Sequence, residues 1–98
     1  MTTLDEINKT LREYFIAKPV KRVWLFGSYA RGAATYDSDI DILVDYGKVK
    51  PSLLKMAGMK IELEDIFKKK VDLVPEDCLY ENLRPYVDKD KILIYERD

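Results

Sequence analysis

The stretch VKRVWLFGSYARGAATYDSDIDILVDYG, residues 20–47, decides how this chain folds. Val20 to Phe26 is β-branched and aromatic, and it reads as a strand that ends at Gly27. Ser28 to Gly32 reads as a short helical turn and residues 33–38 as a loop. The loop delivers a second strand over 39–45 in which Ile40, Ile42 and Val44 point one way. Asp39, Asp41 and Asp45, with Leu43 among them, point the other way. One face of that strand is built for a core, and the opposite face carries carboxylates.

Outward from this stretch the pattern alternates. Thr3 and Glu6 have capping-box spacing, and Leu4, Ile7, Leu11, Tyr14 and Phe15 recur on one stripe, which predicts a helix over 4–17 closed by Lys18-Pro19. Pro51 and Ser52 open a helix expected over 52–68. Its apolar residues cover an arc of roughly 240°, against the ~100° that one core-facing stripe needs. Two readings of that arc stand: burial between the sheet and another helix, or an interface with a partner. Lys70 to Val74 is a third strand, with Asp72 opposite Val71 and Leu73. A helical segment containing Pro85 is expected over 78–87, and a last strand over 91–95. The order α-β-α-β-α-β-α-β, without repeats or linkers, predicts one α/β or α+β sandwich, a single domain spanning residues 1–98.

Composition narrows the chemistry. There is no histidine and a single cysteine, Cys78. That removes the commonest general base and the usual zinc ligand sets. A catalytic metal has to be held by oxygen, which points to Mg2+ or Mn2+. Seventeen basic and eighteen acidic residues leave a net charge of −1, so no dedicated nucleic-acid surface is expected. The clusters Lys18–Arg22 and Lys68–Lys70 read as solvated helix ends and turns. No apolar run approaches the ~20 residues of a membrane helix, and no signal-peptide core opens the chain. With no disulfide possible within the chain, the cytoplasm is the expected compartment.

Three elements then carry the candidate chemistry. Gly27-Ser28 sits where a strand passes into a helix, whose first backbone N–H groups and dipole attract anions. Taken alone, a Gly-Ser pair there is more often a plain turn. Asp39 and Asp41, two apart on a strand, stand with Cα atoms about 6.6–7 Å apart, close enough to converge on cations between them. Asp72 interrupts an apolar strand. Placed beside Asp39 and Asp41, it completes a carboxylate set able to hold two metal ions ~3.5–4 Å apart.

Together, Gly27-Ser28-Tyr29-Ala30-Arg31-Gly32, then Ser38-Asp39-Ile40-Asp41-Ile42-Leu43-Val44, then Val71-Asp72-Leu73-Val74, resemble the signature of the DNA-polymerase-β-like nucleotidyltransferase superfamily. The short members of that superfamily are the minimal nucleotidyltransferases, or MNT-type proteins. The resemblance covers about residues 20–76 and departs at no catalytic position. It implies an α/β (α+β) fold with a polymerase-β palm-like core, a small mixed β-sheet with helices on one face. It also implies that Gly27 and Ser28 bind the β- and γ-phosphates of ATP, with Arg31 and Ser38 nearby. Asp39 and Asp41 would ligate two Mg2+ ions; Asp72 would ligate one of them and serve as general base. Arg31 has two readings, a phosphate contact or an ion pair with Asp37 or Asp39. Ser38 likewise either caps the loop or touches phosphate. Tyr29, Tyr36 and Tyr46 are candidates for stacking on a base, although plain packing is the stronger reading for them.

MNT-type proteins are typically antitoxin partners of HEPN-type toxins, and adenylylate a toxin tyrosine. The resemblance therefore implies a protein adenylyltransferase in a type VII-like toxin–antitoxin system, with a homo- or hetero-oligomer as a candidate assembly. Two alternatives remain open: neutralisation of the toxin by occlusion without catalysis, and nucleotidyl transfer to a small molecule or RNA.

Overall fold

The computed structural model describes residues 3–97; residues 1, 2 and 98 of the expected 1–98 unit lie outside the described residues. Thr3 begins the first element. Its Oγ1 accepts the Glu6 N–H at 3.2 Å, and helix α1 runs over Leu4–Phe15. It stops two residues short of the expected end. Lys18, which precedes Pro19, is disfavoured in the helical region, and its N–H turns back to the Phe15 carbonyl at 3.0 Å.

Strand β1 is Arg22–Phe26, followed directly by the one-turn helix α2, Gly27–Ala30. Strand β2 is Ile40–Asp45, so Asp39 ends the loop instead of opening the strand. Helix α3, Leu53–Phe67, starts from Ser52, whose hydroxyl accepts the Lys55 N–H at 3.2 Å. Strand β3 is Val71–Pro75; a proline fits there because β3 lies at the sheet edge. The next segment differs from expectation. A short 3₁₀ turn, Glu76–Cys78, comes first, and helix α4 is Arg84–Asp90. Pro85 sits in the first turn of α4, where its missing N–H costs nothing, so the helix starts one residue before the proline rather than carrying it mid-helix. Strand β4, Ile92–Glu96, ends the order.

The four strands lie in the order β3-β2-β1-β4. β1 pairs antiparallel with β2 and β4, while β2 and β3 are parallel, joined by a crossover through α3. The sheet is mixed, as expected. The core lies between one sheet face and the two long helices. Ile7, Leu11 and Phe15 of α1 and Met59, Leu63 and Phe67 of α3 pack on Val23, Leu25, Ile40, Ile42, Val44 and Val71. Spacing of four on each helix turns one stripe inward.

The other sheet face is less polar than the alternation suggests. Leu43, placed by the sequence among the carboxylates, is fully buried. It stands opposite Trp24 on one side and Val74 on the other, and the 3₁₀ turn packs against its strand. An apolar row thus separates Asp41 from Asp45.

The wide arc of α3 is only partly buried. Leu53 and Leu54 remain 83% and 84% exposed, and Ile61 is exposed as well. Burial between sheet and helix therefore accounts for Met59, Leu63 and Phe67 but not for this second stripe. Among the described residues no helix is long and apolar enough to cross a membrane. Leu63→Ala is expected to cost about 2–5 kcal/mol in urea denaturation, because it empties a packed site. Leu54→Ala is expected to stay within about 0.5 kcal/mol. Equal losses would show that Leu54 is covered in solution.

Candidate active site

The site is assembled by register. Glu64 of α3 accepts the Val71 N–H at 3.0 Å, and the Ile40 N–H donates to the Lys70 carbonyl at 3.0 Å. These two bonds set where β3 meets β2, and the pairing that follows puts Asp72 directly beside Asp41. On the other side Asp41 faces Phe26, the last residue of β1. Neighbouring strands are about 4.7–4.9 Å apart, so the two carboxylates leave the sheet side by side.

Gly27 follows Phe26 at φ +75, a conformation that side chains rarely adopt. A Cβ built there would run into the Asp41 carboxylate, with the carboxyl carbon only 2.9 Å away. Glycine is therefore required twice, by its backbone angle and by the carboxylate it accommodates. It brings the first turn of α2 against Asp41, and the N-cap residue Phe26 makes no side-chain capping bond. First-turn N–H groups have no partner within a helix, so this end suits an anion.

Gly27, Ser28, Arg31, Asp39, Asp41 and Asp72 line one cleft of about 690 Å3. Asp41 is half-buried while Asp39 and Asp72 are exposed. Burial pushes the Asp41 carboxyl up to about 6, the charges of Asp72 and Asp39 push the same way, and Arg31 opposes them. Asp39, Asp41 and Asp72 thus share a cleft with the Arg31 guanidinium and a fourth aspartate, Asp90. The aspartates' donor atoms are all hard carboxylate oxygens, the set that Mg2+ or Mn2+ prefers. Among the described residues no three such side chains stand ready-made as a metal cage. The exposed Asp39 and Asp72 have room to turn toward an ion beside the fixed Asp41.

Two residues singled out by sequence behave differently. Ser38 does not line the cleft; its hydroxyl accepts the Thr35 N–H at 2.7 Å, which makes it a loop cap. Arg31 does line the cleft, but its ion-pair partner is neither Asp37 nor Asp39. Its Nη1 lies 3.6 Å from Asp90 Oδ2 of α4. For the tyrosines near the motif the stronger reading holds. Tyr29 and Tyr46 are core residues, and Tyr36 is a surface aromatic outside the cleft with Lys69 over its ring. The tyrosines that line the cleft are Tyr80 and Tyr86. Leu83, Tyr86, Val87 and Asp90 follow helical i, i+3, i+4, i+7 spacing, a stripe that becomes readable once α4 is started at Arg84.

A nucleotidyltransferase domain model matches residues 4–95. The chain belongs to the nucleotidyltransferase domain family. Within the family it is 44% identical over 86 residues to the protein adenylyltransferase MntA of Thermococcus cleftensis, covering 81% of this chain and 83% of that protein. Its fold matches a chain in the crystal structure of a toxin–antitoxin with AMP-PNP, at a TM-score of 0.75 and 24% identity, over 99% of this chain and 76% of the other. It also matches a chain in the complex of a tri-AMPylated Shewanella oneidensis HEPN toxin with an MNT antitoxin. There the TM-score is 0.66 and the identity 22%, over 96% and 70% of the two chains.

Nucleotidyltransferase architecture has a stability consequence at Asp41. An aspartate whose folded pKa lies at about 6, above its ordinary 3.8, holds more proton folded than unfolded. It therefore weakens the fold as pH rises through that window and has no such effect below it. In magnesium-free buffer at about pH 7.5, Asp41→Asn is expected to melt several degrees above the parent. The gain is on the order of 1 kcal/mol after discounting for the solvated neighbours. The gap should close as pH falls toward 4. A gap that persists there, or never appears, would rule out charge crowding as its cause.

Proposed function

We propose that this chain is an antitoxin that transfers AMP from Mg-ATP to a tyrosine hydroxyl of a cognate HEPN-type toxin. The observation that carries the reading is the in-register pair Asp41 and Asp72, joined by Asp39, in one cleft with the glycine-led first turn of α2. The names of its relatives lead the same way: a 44% identical protein is a protein adenylyltransferase, and a fold neighbour belongs to a complex whose toxin is tri-AMPylated.

In this reading the Gly27 and Ser28 backbone N–H groups and the Ser28 hydroxyl hold the β- and γ-phosphates. Asp39, Asp41 and Asp72 would hold the magnesium ions. Bound there, these would stabilise charge on the α-phosphate and on pyrophosphate. The acceptor oxygen forms its bond to the α-phosphorus while the bond to the β-phosphate oxygen breaks and pyrophosphate leaves. Asp72, exposed at the edge of the cleft, takes the acceptor proton. Arg31, held by Asp90, offsets part of the carboxylate charge at rest.

A second reading, neutralisation by occlusion alone, is favoured by one observation: the uncovered Leu53, Leu54 and Ile61 stripe of α3. Incubating the protein with labelled ATP, magnesium and a purified candidate HEPN-type toxin separates the two. Label is expected on a toxin tyrosine, and Asp39→Asn/Asp41→Asn should reduce transfer more than about 100-fold; Asp72→Asn should lose about 10²–10⁴-fold. Full neutralisation by the double variant, with no label transferred by the parent, would overturn the catalytic reading.

A further inference from the structure

The carboxylates and Gly27 account for only one end of the cleft. The other end is apolar, formed by Val74, Leu79, Leu83 and Val87, with Tyr80 and Tyr86 beside them. Tyr86 is 71% exposed although it belongs to the stripe of α4 that faces the cleft. A large aromatic ring exposed on the inner wall of a concavity is a surface able to take a flat stacking partner.

This wall is fixed in place. Arg84, in the first turn of α4, bonds Glu76 Oε1 at 2.6 Å and the Glu76 carbonyl at 3.0 Å. At the far end Asp90 pairs with Arg31, the residue just after α2. Helix α4 is thus tied both to the turn after the Asp72 strand and to the phosphate end of the site. Tyr86 lies four residues back from Asp90, ~6 Å along the helix axis. Val74 lies two residues beyond Asp72 on the same strand face, so the apolar wall begins where the carboxylates stop. The whole cleft, about 690 Å3, falls within the size range of a small-molecule site and suits one nucleotide.

We infer that Tyr86 is the stacking platform for the nucleoside base of the triphosphate, with Leu83 and Val87 as the aliphatic bed around it. The assignment rests on the nucleotidyl-transfer reading and adds a residue that positions the nucleotide without touching the reacting atoms. An exposed aromatic ring recognises the π-surface common to all bases. The acceptor is left to approach from the open side at Asp72.

The test is a calorimetric titration of the intact protein in magnesium buffer, with AMP-PNP and separately with inorganic tripolyphosphate, which has the phosphates but no base. Tyr86→Ala is expected to weaken AMP-PNP about 5- to 100-fold while tripolyphosphate binding stays within about twofold. Tyr86→Phe, which keeps the ring, should bind AMP-PNP within about twofold of the parent. Unchanged AMP-PNP affinity in Tyr86→Ala would overturn the assignment. So would equal weakening of both ligands, which reports a disturbed cleft. If the parent binds neither ligand, the nucleotidyl-transfer reading itself fails, and the platform falls with it.

Discussion

Like charges repel, and this fold holds three of them at one place. Asp41 lies half inside the protein, flanked in register by Asp72 and preceded two residues earlier by Asp39. Much of the local architecture serves that unfavourable gathering. The parallel pairing of β2 with β3 needs a crossover, which α3 supplies, and Glu64 on that helix anchors β3 at Val71. Backbone and Lys60 bonds hold the Glu64 carboxyl below its ordinary range, so it stays charged for the task. The turn after β1 must be glycine, because the Asp41 carboxylate occupies the space of a side chain. Crowding of this kind is unstable by itself and becomes favourable when a cation enters, which is how a binding site differs from a merely polar surface.

The stabilising counterpart is on the other side of the sheet. Three residues from α1 and three from α3, at spacing of four, meet the inward positions of the strands in one continuous core. That core does not depend on the site, so the cleft face can carry repulsion, an open cleft and exposed aromatics without losing the fold. Leu43 and Trp24 extend burial onto the cleft face in its middle row. This keeps Asp41 apart from the ion pair that Arg22 makes with Asp45 at 3.6 Å. The stripe of α3 that remains uncovered belongs to neither side, and it is the largest unassigned apolar feature of the surface described above.

Legibility followed the range of the interactions. The strand and helix order, the glycine and the three aspartates could be read from local pattern, because alternation of period two and stripes of period 3.6 are written into neighbouring residues; the mixed sheet came only with the family resemblance, since strand direction is not written into either period. Element ends were legible to within a residue or two where a proline or a cap marks them, as at Pro19 and Ser52. The segment after β3 was not: Pro85 fits the first turn of a helix as well as a break within one, and only the Arg84–Glu76 bonds and the packing of Val87 settle which. Misplacing that helix hid the cleft-facing stripe and with it Tyr86, while Tyr29 and Tyr46, close to the motif in sequence, turned inward to the core.

By itself the sequence determined which residues are able to do chemistry here: hard oxygen donors without histidine, a glycine before a helix, and a strand with one acidic face. Those properties belong to residue types and to spacings of two or three positions, so no folding is needed to see them. Tertiary structure alone decided which of them meet. Asp72 is 31 positions beyond Asp41 and reaches it through strand register. Arg31 finds Asp90, 59 positions away, rather than its nearer acidic neighbours, and Ser38 is withdrawn into its loop. Contacts at such separations depend on how a crossover and a sheet edge are packed, and local sequence does not encode that distance.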